Sequence, residues 1–321
     1  MNKPPSKRLW VLFLLLGAAV IFGLAQGAAR IPLNELLLKE NQAVLNMRLL
    51  RILAAILVGS GLSVAGIVLQ AILRNPLAEP YLLGTSSGAG LSAVIAVILG
   101  VSRIYMPLAA FMGAVASIIL VYALASERKR IADRSLILCG VIVSIAFSSI
   151  IVFLVSLFGN QAMHEMNWWL WGSLQVYDWK LVLLVSLPVL LGIGAIYIFA
   201  QDLNAIQLGE EEAAHLGIDT QKVKNILIMI TALITASLIC ICGIIGFVGL
   251  IVPHMMRQVV GANHKALIPV TCLAASIFMV GCDIISRTLF APVEIPIGVI
   301  TAMIGAPVFI VLLKRGQGAA G

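Results

Sequence analysis

The chain alternates between long apolar runs and short charged connections. Stretches without Asp, Glu, Lys or Arg recur from near the first residue to near the last. A bilayer span needs about 20 predominantly apolar residues, and a charged side chain at its centre costs at least about 2.5 kcal/mol. Runs of this kind therefore predict transmembrane helices. They cover residues 9–29, 52–73, 80–102, 104–126, 135–163, 181–201, 225–256, 266–282 and 295–313.

The run 225–256 is too long for one span. Gly243, Gly246, Gly249 and Pro253 interrupt its second half, and both residue types weaken helices. We therefore predict two helices in this run, which raises the total to ten. The predicted spans are about 9–29, 50–73, 81–101, 105–126, 135–158, 180–200, 223–242, 246–260, 267–286 and 296–313.

The first apolar run follows a basic N-terminal segment, as a secretory signal does. It extends over residues 9–29, whereas the apolar part of a signal peptide has about 7–15 residues. We therefore interpret it as an uncleaved first span.

The basic residues predict the orientation. With ten spans and a cytoplasmic N-terminus, fourteen Lys and Arg lie inside and seven outside, in agreement with the positive-inside bias. Nine spans would leave the basic end "LLKR" outside. We therefore expect both termini in the cytoplasm. This distribution accounts for the net charge of +7 without nucleic acid as a partner.

The composition supports a membrane protein rather than a soluble one. Hydrophobic residues make up 61% of the chain and charged residues 11%, whereas a soluble domain carries about 25% charged residues. No long linker divides the chain, so we predict one all-α integral membrane domain over residues 1–321. The cysteines are odd in number and form no CxxC pair, which argues against a disulfide framework or a zinc site; they are Cys139, Cys240, Cys242, Cys272 and Cys282.

Small residues are concentrated in three places. These are "GSGLSVAG" (59–66), "GTSSGAGLSA" (84–93) and "GIIGFVG" (243–249). In lipid, Gly, Ala and Ser permit the close approach of helices. Broken helices that line a pathway have a similar composition. Both interpretations remain open for these segments.

The sequence lacks two motifs that would supply enzyme chemistry. No HExxH pattern occurs, and the dipeptide Gly-Lys is absent, so the chain has no Walker loop for ATP. We therefore predict that it is not an enzyme and that any ATP is bound by a partner. The alternative is a gradient-driven secondary transporter, which usually keeps carboxylates or histidines in mid-span. The six predicted spans before residue 202 contain none.

A few polar side chains lie within or next to the later apolar runs, namely His254, Asp283, Arg287 and Glu294. Asp283 and Arg287 are four residues apart and would share one face of a helix, where they can pair. We interpret His254 and Arg257 as packing or interface residues.

An acidic segment, "QLGEEEAAHLGIDTQK" (207–222), separates two apolar runs on the predicted cytoplasmic side. Carboxylates suit a helix N-terminus, and Gly217 is a candidate for the residue that stops the helix. We predict a helix of about two turns within a connecting segment at 202–221. It would enter the cleft of a partner; the alternative is a solvated loop.

Two long motifs resemble one family. "SGLSVAGIVLQAILRNPLAEPYLLGTSSGAG" (60–90) and "CGIIGFVGLIVPHMMRQVVGANHKALIPVTCLAASIFMVGCDIISRT" (242–288) are similar to segments of FecCD/BtuC-type permeases. These are the transmembrane subunits of ATP-binding-cassette (ABC) importers for ferric siderophores, haem or cobalamin. "LGEEEAAHLGI" resembles their coupling segment. The resemblance extends from about Arg48 to the C-terminus.

The resemblance implies a cobalamin-permease-like (type II ABC importer) architecture of ten spans. It also implies a homodimer in the bacterial inner membrane with two ATP-binding subunits inside and a periplasmic or lipoprotein substrate-binding protein outside. ATP and magnesium would be bound by the partner ATPase, and no metal or cofactor by this chain. The cargo stays open among siderophores, haem and cobalamin.

The resemblance also implies site residues. Arg48, Arg51 and Arg287 would dock the binding protein, and Asn75 and Leu77 would form part of a cytoplasmic gate. The ATPase coupling residues would be Leu208, Gly209, Glu210, Glu211, Glu212, Ala213, Ala214, Leu216 and Gly217.

Each of these roles has a simpler alternative. Arg48 and Arg51 could bind lipid headgroups, and Arg287 could only pair with Asp283. Asn75 could turn the chain before a proline without any gating role. Relatives often have proline where this chain has Leu50, which leaves the local bend open.

Overall fold

The computed structural model describes residues 6–27, 31–127, 130–131, 133–158 and 170–318. In these residues the fold is helical, apart from a two-residue antiparallel ladder that pairs Ser126 with Ile131 and Glu127 with Arg130. The helices are α1 Ser6–Ala25, α2 Leu33–Leu36, α3 Gln42–Ile72, α4 Thr85–Ile98, α5 Met106–Ala125, α6 Asp133–Phe158, α7 Trp179–Ile198, α8 Ala200–Leu208, α9 Glu210–His215, α10 Thr220–Cys242, α11 Val248–Val260, α12 His264–Thr288 and α13 Ile297–Gly318.

The helix lengths agree with the predicted membrane architecture. Within the described residues, seven helical segments are long and apolar enough to cross a bilayer: α1, α3, α5, α6, α7, α10 and α12. Three shorter apolar helices, α4, α11 and α13, complete the set. The prediction of an all-α membrane protein with about ten spans is confirmed.

Helix α3 forms the centre of the bundle. It packs against α10, α11 and α12, and most of its side chains from Leu50 to Ile72 are buried. It begins at Gln42, well before the predicted residue 50, because the helix continues beyond the apolar run and includes Arg48 and Arg51. Helix α1 lies at the periphery and packs on α12 and α3.

Polar side chains at the helix starts explain several boundaries. Asp178 accepts a hydrogen bond from the backbone N–H of Lys180, and Asp219 accepts one from Lys222. Asn263 does the same for Lys265. Such bonds satisfy N–H groups that have no partner inside the helix. These bonds mark the starts of α7, α10 and α12, which lie a few residues before the corresponding apolar runs.

Glycines bring helices into backbone contact. A Cβ atom at Gly66 of α3 would lie 1.9 Å from the carbonyl oxygen of Gly249, and one at Gly88 would lie 2.5 Å from that of Gly113. No side chain fits into these crossings. The predicted close packing of small residues therefore occurs in the bundle.

The predicted helix break also occurs, between α10 and α11. Residues 243–247 are not helical, and their backbone groups need partners in a low-dielectric interior. The Tyr81 hydroxyl accepts from the Ile245 N–H at 3.0 Å and donates to its carbonyl at 3.1 Å. Glu79 accepts from the Phe247 N–H at 2.7 Å. Burial raises the pKa of the Glu79 carboxyl, and this N–H opposes the shift.

The five cysteines are all described and all free. Cys240, Cys242 and Cys282 are buried in the main core.

Candidate functional site

Five charged side chains meet at one end of the bundle, and we call them the charge cluster: Arg48, Arg51, Asp283, Arg287 and Glu294. They come from α3, α12 and the connection that precedes α13. The three arginines predicted as docking residues therefore lie together, although up to 239 positions separate them in the chain.

Asp283 forms the middle of the charge cluster. Its Oδ1 accepts a hydrogen bond from Arg51 Nε at 3.0 Å, and its Oδ2 lies 3.1 Å from Arg287 Nε. The second contact is an ion pair without hydrogen-bond geometry. Arg51 Nη1 also donates to both carboxylate oxygens of Glu294, at 2.8 Å each. Arg51 thus joins two carboxylates, and Asp283 joins two arginines.

Two arginines fix the end of α1. Arg48 Nη1 donates to the carbonyl oxygen of Leu24 at 2.5 Å, and Arg287 Nη2 donates to that of Gly23 at 2.6 Å. The last carbonyls of a helix lack intrahelical partners and carry partial negative charge. The guanidinium groups satisfy both needs and hold α1 against the bundle.

The cluster is almost closed to solvent. Arg48, Arg51 and Arg287 are 4%, 8% and 3% exposed, and Asp283 is 0% exposed. Only the side chain of Glu294, at 23%, is appreciably exposed among the five. Two carboxylates and three guanidinium groups thus meet in an almost closed space. The pairing expected for Arg287 and Asp283 is present, and the docking role stays a prediction.

Glu294 also connects the cluster to the exposed surface. Gln175 Nε2 donates to Glu294 Oε2 at 2.8 Å, and the Tyr177 hydroxyl donates to Gln175 Oε1 at 3.1 Å. Gln175 and Tyr177 are exposed. Because both precede α7, the network joins four parts of the chain at this end of the bundle.

Residues 74–78 form a tight turn at the opposite end of α3, which we call the Asn75 turn. Asn75 Oδ1 accepts from the Leu77 N–H at 2.9 Å, and the Asn75 N–H donates to the carbonyl of Gln70 at 3.2 Å. Leu77 is 48% exposed, whereas Ala78 is buried. The turn-forming role of Asn75 is therefore present, and the gate role stays a prediction.

The acidic segment forms helix α9, as predicted, and Gly217 ends it. The Gly217 N–H donates to Ala214 O at 2.9 Å and the Ile218 N–H to Ala213 O at 3.1 Å. With Gly217 at φ +81, this is a Schellman arrangement, which favours glycine. The helix is only six residues long, so it needs tertiary contacts for stability.

Those contacts come from a small satellite core. Ala213 and Ile206 are fully buried and Ala205 nearly so, and Ile218 and Val223 pack beside them. On the other side of the helix Glu210, Glu211 and Glu212 are exposed. Leu208 and Leu216 flank these carboxylates and are 74% and 68% exposed. The helix therefore presents a surface that is both acidic and apolar.

One ion pair fastens α9 to the bundle. Lys224 Nζ lies 2.5 Å from Glu210 Oε1. The lysine is 2% exposed, whereas the Glu210 side chain is 48% exposed. Any displacement of α9 is thus resisted by a buried charge on α10.

The profile of the FecCD transport family matches residues 14–315, which is nearly the whole chain. The chain belongs to the FecCD transport family. Two relatives illustrate the range of this family. The cobalamin import system permease protein BtuC of Halobacterium salinarum is 39% identical over 84% of this chain and 72% of its own length. The Fe(3+) dicitrate transport system permease protein FecD of Escherichia coli is 35% identical over 95% and 98%.

A solved structure has the same fold. It is described as an inward-facing conformation of a metal-chelate type ABC transporter, and it matches 97% of this chain and 100% of its own with a TM-score of 0.88 at 32% identity. This FecCD-family protein is therefore an integral membrane permease of the ABC importer class, and its work requires an ABC ATPase partner.

Two residues that the sequence did not single out take part in these sites of the FecCD permease. Lys224 pairs with Glu210 over fourteen positions, a spacing outside the short-range helix pattern. Gln70 contacts both the Asn75 turn and α11. The sequence did offer one signal for Gln70, because it is a single amide side chain within the apolar run 52–73.

Proposed function

We propose that this permease moves a metal chelate of the siderophore, haem or cobalamin kind into the cell by alternating access. The proposal rests on one observation: a chain of this family has two different sites at opposite ends of its helix bundle. The charge cluster lies at one end, and helix α9, with its exposed acidic and apolar surface, leads into α10 at the other. The names of the relatives BtuC and FecD favour a chelate as the cargo.

The proposed assembly is a homodimer with the passage between the two copies. Two ATP-binding subunits lie in the cytoplasm together with both termini, and a substrate-binding protein docks outside. The positive-inside distribution of Lys and Arg supports this orientation. ATP and magnesium belong to the ATPase.

Helix α9 is the proposed coupling element. Its exposed leucines, Leu208 and Leu216, supply apolar area for a protein contact, and Glu211 and Glu212 supply charge complementarity. Ala213 and the Glu210–Lys224 pair hold the helix on the bundle. A force applied to α9 by the ATPase therefore reaches α10 directly.

The charge cluster is the proposed docking site, with one condition set by its burial. A carboxylate of the binding protein cannot add to Arg51 from solvent while both carboxylates of the cluster occupy it. It can reach Arg51 by replacing Glu294, which is the most exposed member. The Asn75 turn is the proposed gate at the other end.

The proposal is tested by uptake into proteoliposomes that contain the permease, its cognate ATPase and its binding protein. Cyanocobalamin, ferric citrate and haemin serve as cargo probes. The expected result is accumulation of one chelate that requires ATP and the binding protein. Uptake without the ATPase, driven by a proton or sodium gradient, would instead establish the secondary-transporter alternative.

A further inference from the structure

Gln70 lies beside a very close helix crossing of the bundle. Gly66 of α3 and Gly249 of α11 meet backbone to backbone, since a Cβ at Gly66 would be 1.9 Å from Gly249 O. Gln70 follows Gly66 by one helical turn on the same face. Its side chain is 4% exposed and enters the angle between α3, α11 and the Asn75 turn.

The amide of Gln70 bridges all three elements. Its Nε2 donates to Gly249 O at 3.0 Å and approaches Ala78 O at 3.3 Å and Leu250 O at 3.4 Å. Its Oε1 accepts a hydrogen bond from Arg257 Nη1. Thus one side chain holds the Asn75 turn through Ala78 and holds the first turn of α11.

The chemistry of the neighbours fixes the direction of this amide. A guanidinium group only donates hydrogen bonds, and carbonyl oxygens only accept them. Arg257 therefore requires Oε1 on its side, and the three carbonyls require the NH₂ on theirs. The reverse orientation would place two donors against each other and an oxygen against three oxygens. Arg257 thus acts as the partner that keeps the Gln70 donors aimed at the turn.

Helix α11 connects this bridge to the segment that carries α9. It ends at Val260, and α12 begins a few residues later at His264. Asn204 of α8 accepts a hydrogen bond from the His264 backbone N–H at 2.9 Å and contacts His264 Nδ1 at 2.6 Å. Helix α8 leads directly into α9. A continuous set of contacts therefore runs from α9 through α8 and the α11–α12 corner to Arg257, Gln70 and the Asn75 turn.

We infer that Gln70 is a positioning residue that transmits displacement of α11 to the Asn75 turn. The inference rests on the proposed gate role of that turn and adds Gln70 as the residue that couples the turn to α11. The turn moves with α11 because the NH₂ group of Gln70 donates both to the carbonyl of Ala78 in the turn and to the carbonyls of Gly249 and Leu250 in α11. The Glu79–Phe247 hydrogen bond also joins the residue after the turn to the start of α11, so loss of the amide weakens the coupling of the turn to α11 rather than abolishing it.

The test measures hydrogen exchange by mass spectrometry over residues 74–79 in the permease–ATPase complex in nanodiscs. Gln70→Glu is the principal variant because the carboxylate keeps the Arg257 contact and loses every donor to the carbonyls. Gln70→Leu loses both the Arg257 contact and the donors to the carbonyls. Ser63→Ala is the matched control, since Ser63 is a buried polar residue of the same helix whose hydroxyl bonds only within α3, to Ser60 O.

Two results are expected. Without nucleotide, Gln70→Glu and Gln70→Leu raise exchange in the turn by about tenfold, the effect of one lost buried hydrogen bond, and Ser63→Ala does not. When ATP is trapped with vanadate, the wild-type complex changes its exchange in the turn, and Gln70→Glu changes it markedly less.

The inference is overturned if Gln70→Glu leaves exchange in the turn at the wild-type level, or if the variant responds to trapping as strongly as the wild type does. A purely structural role for Gln70 through Arg257 predicts that result, because the glutamate preserves the Arg257 contact. If the wild type shows no response to trapping while both variants raise exchange without nucleotide, the positioning role stands and the gate role of the turn is rejected.

Discussion

Lys224 is buried at the start of α10, and its Nζ lies 2.5 Å from Oε1 of Glu210 in α9. A buried ammonium group is costly unless a carboxylate compensates it. This pair therefore gives the short acidic helix a fixed position that its own length cannot supply. It also distinguishes Glu210 from Glu211 and Glu212, which the sequence presents as three equal carboxylates.

Glu210→Gln should destabilise the permease, whereas Glu211→Gln should not. The first change removes the negative charge opposite Lys224, at a cost of roughly 1–2 kcal/mol for a half-exposed partner. Glu211 is exposed, and surface substitutions usually change stability by less than about 0.5 kcal/mol. Thermal unfolding of the detergent-solubilised protein measures the difference. Equal midpoints for the two variants would show that the ion pair contributes no stability.

Glu294→Gln should strengthen docking of the binding protein. Glu294 occupies Arg51 in the free permease, so its neutralisation leaves the guanidinium more available to a carboxylate of the partner. The expected gain in affinity is roughly 3- to 10-fold, which corresponds to about 1 kcal/mol. Surface plasmon resonance with the permease in nanodiscs measures this affinity.

The matched control is Glu35→Gln, an exposed carboxylate that forms no part of the charge cluster. A weaker affinity for Glu294→Gln, with Glu35→Gln unchanged, would mean that Glu294 itself contacts the partner or holds the docking surface. Docking by exchange at Arg51 would then be rejected.

Gly66→Ala should destabilise the bundle much more than Gly281→Ala. A Cβ at position 66 would lie 1.9 Å from Gly249 O, whereas one at position 281 meets nothing within 4 Å. Overpacking against a backbone costs about 1–3 kcal/mol or more, and Ala in an open helical position is neutral or slightly favourable. The yield of monodisperse protein and its unfolding midpoint report the effect. Similar behaviour of both variants would disprove the backbone contact between α3 and α11.

Hydrophobic patterning predicted the architecture because each apolar run independently marks a segment that avoids water. The break before α11 was also predictable, since Gly243 and Gly246 weaken a helix wherever they occur. The start of α3 at Gln42 was not predictable, because Arg48 and Arg51 resemble the charged end of a span. Only the structure shows that Asp283 and Glu294 pair with Arg51.

The functional sites were predictable only in part, because they also depend on contacts between distant parts of the chain. Motif resemblance named the arginines, Asn75 and the acidic segment, and the structure brings the arginines into one cluster. The partners depend on the three-dimensional packing: Glu294 is 243 positions from Arg51, and Arg257 is 187 positions from Gln70. No local spacing rule encodes such contacts.

The central claim is that ATP-driven movement enters this permease through α9. Replacement of residues 208–216 by a Gly-Ser segment of equal length tests it most directly, with ATP-dependent uptake by the reconstituted importer as the measurement. The account predicts loss of uptake and of ATPase co-purification, while the binding protein still docks at the charge cluster. Continued ATP-dependent uptake by this variant would contradict the account.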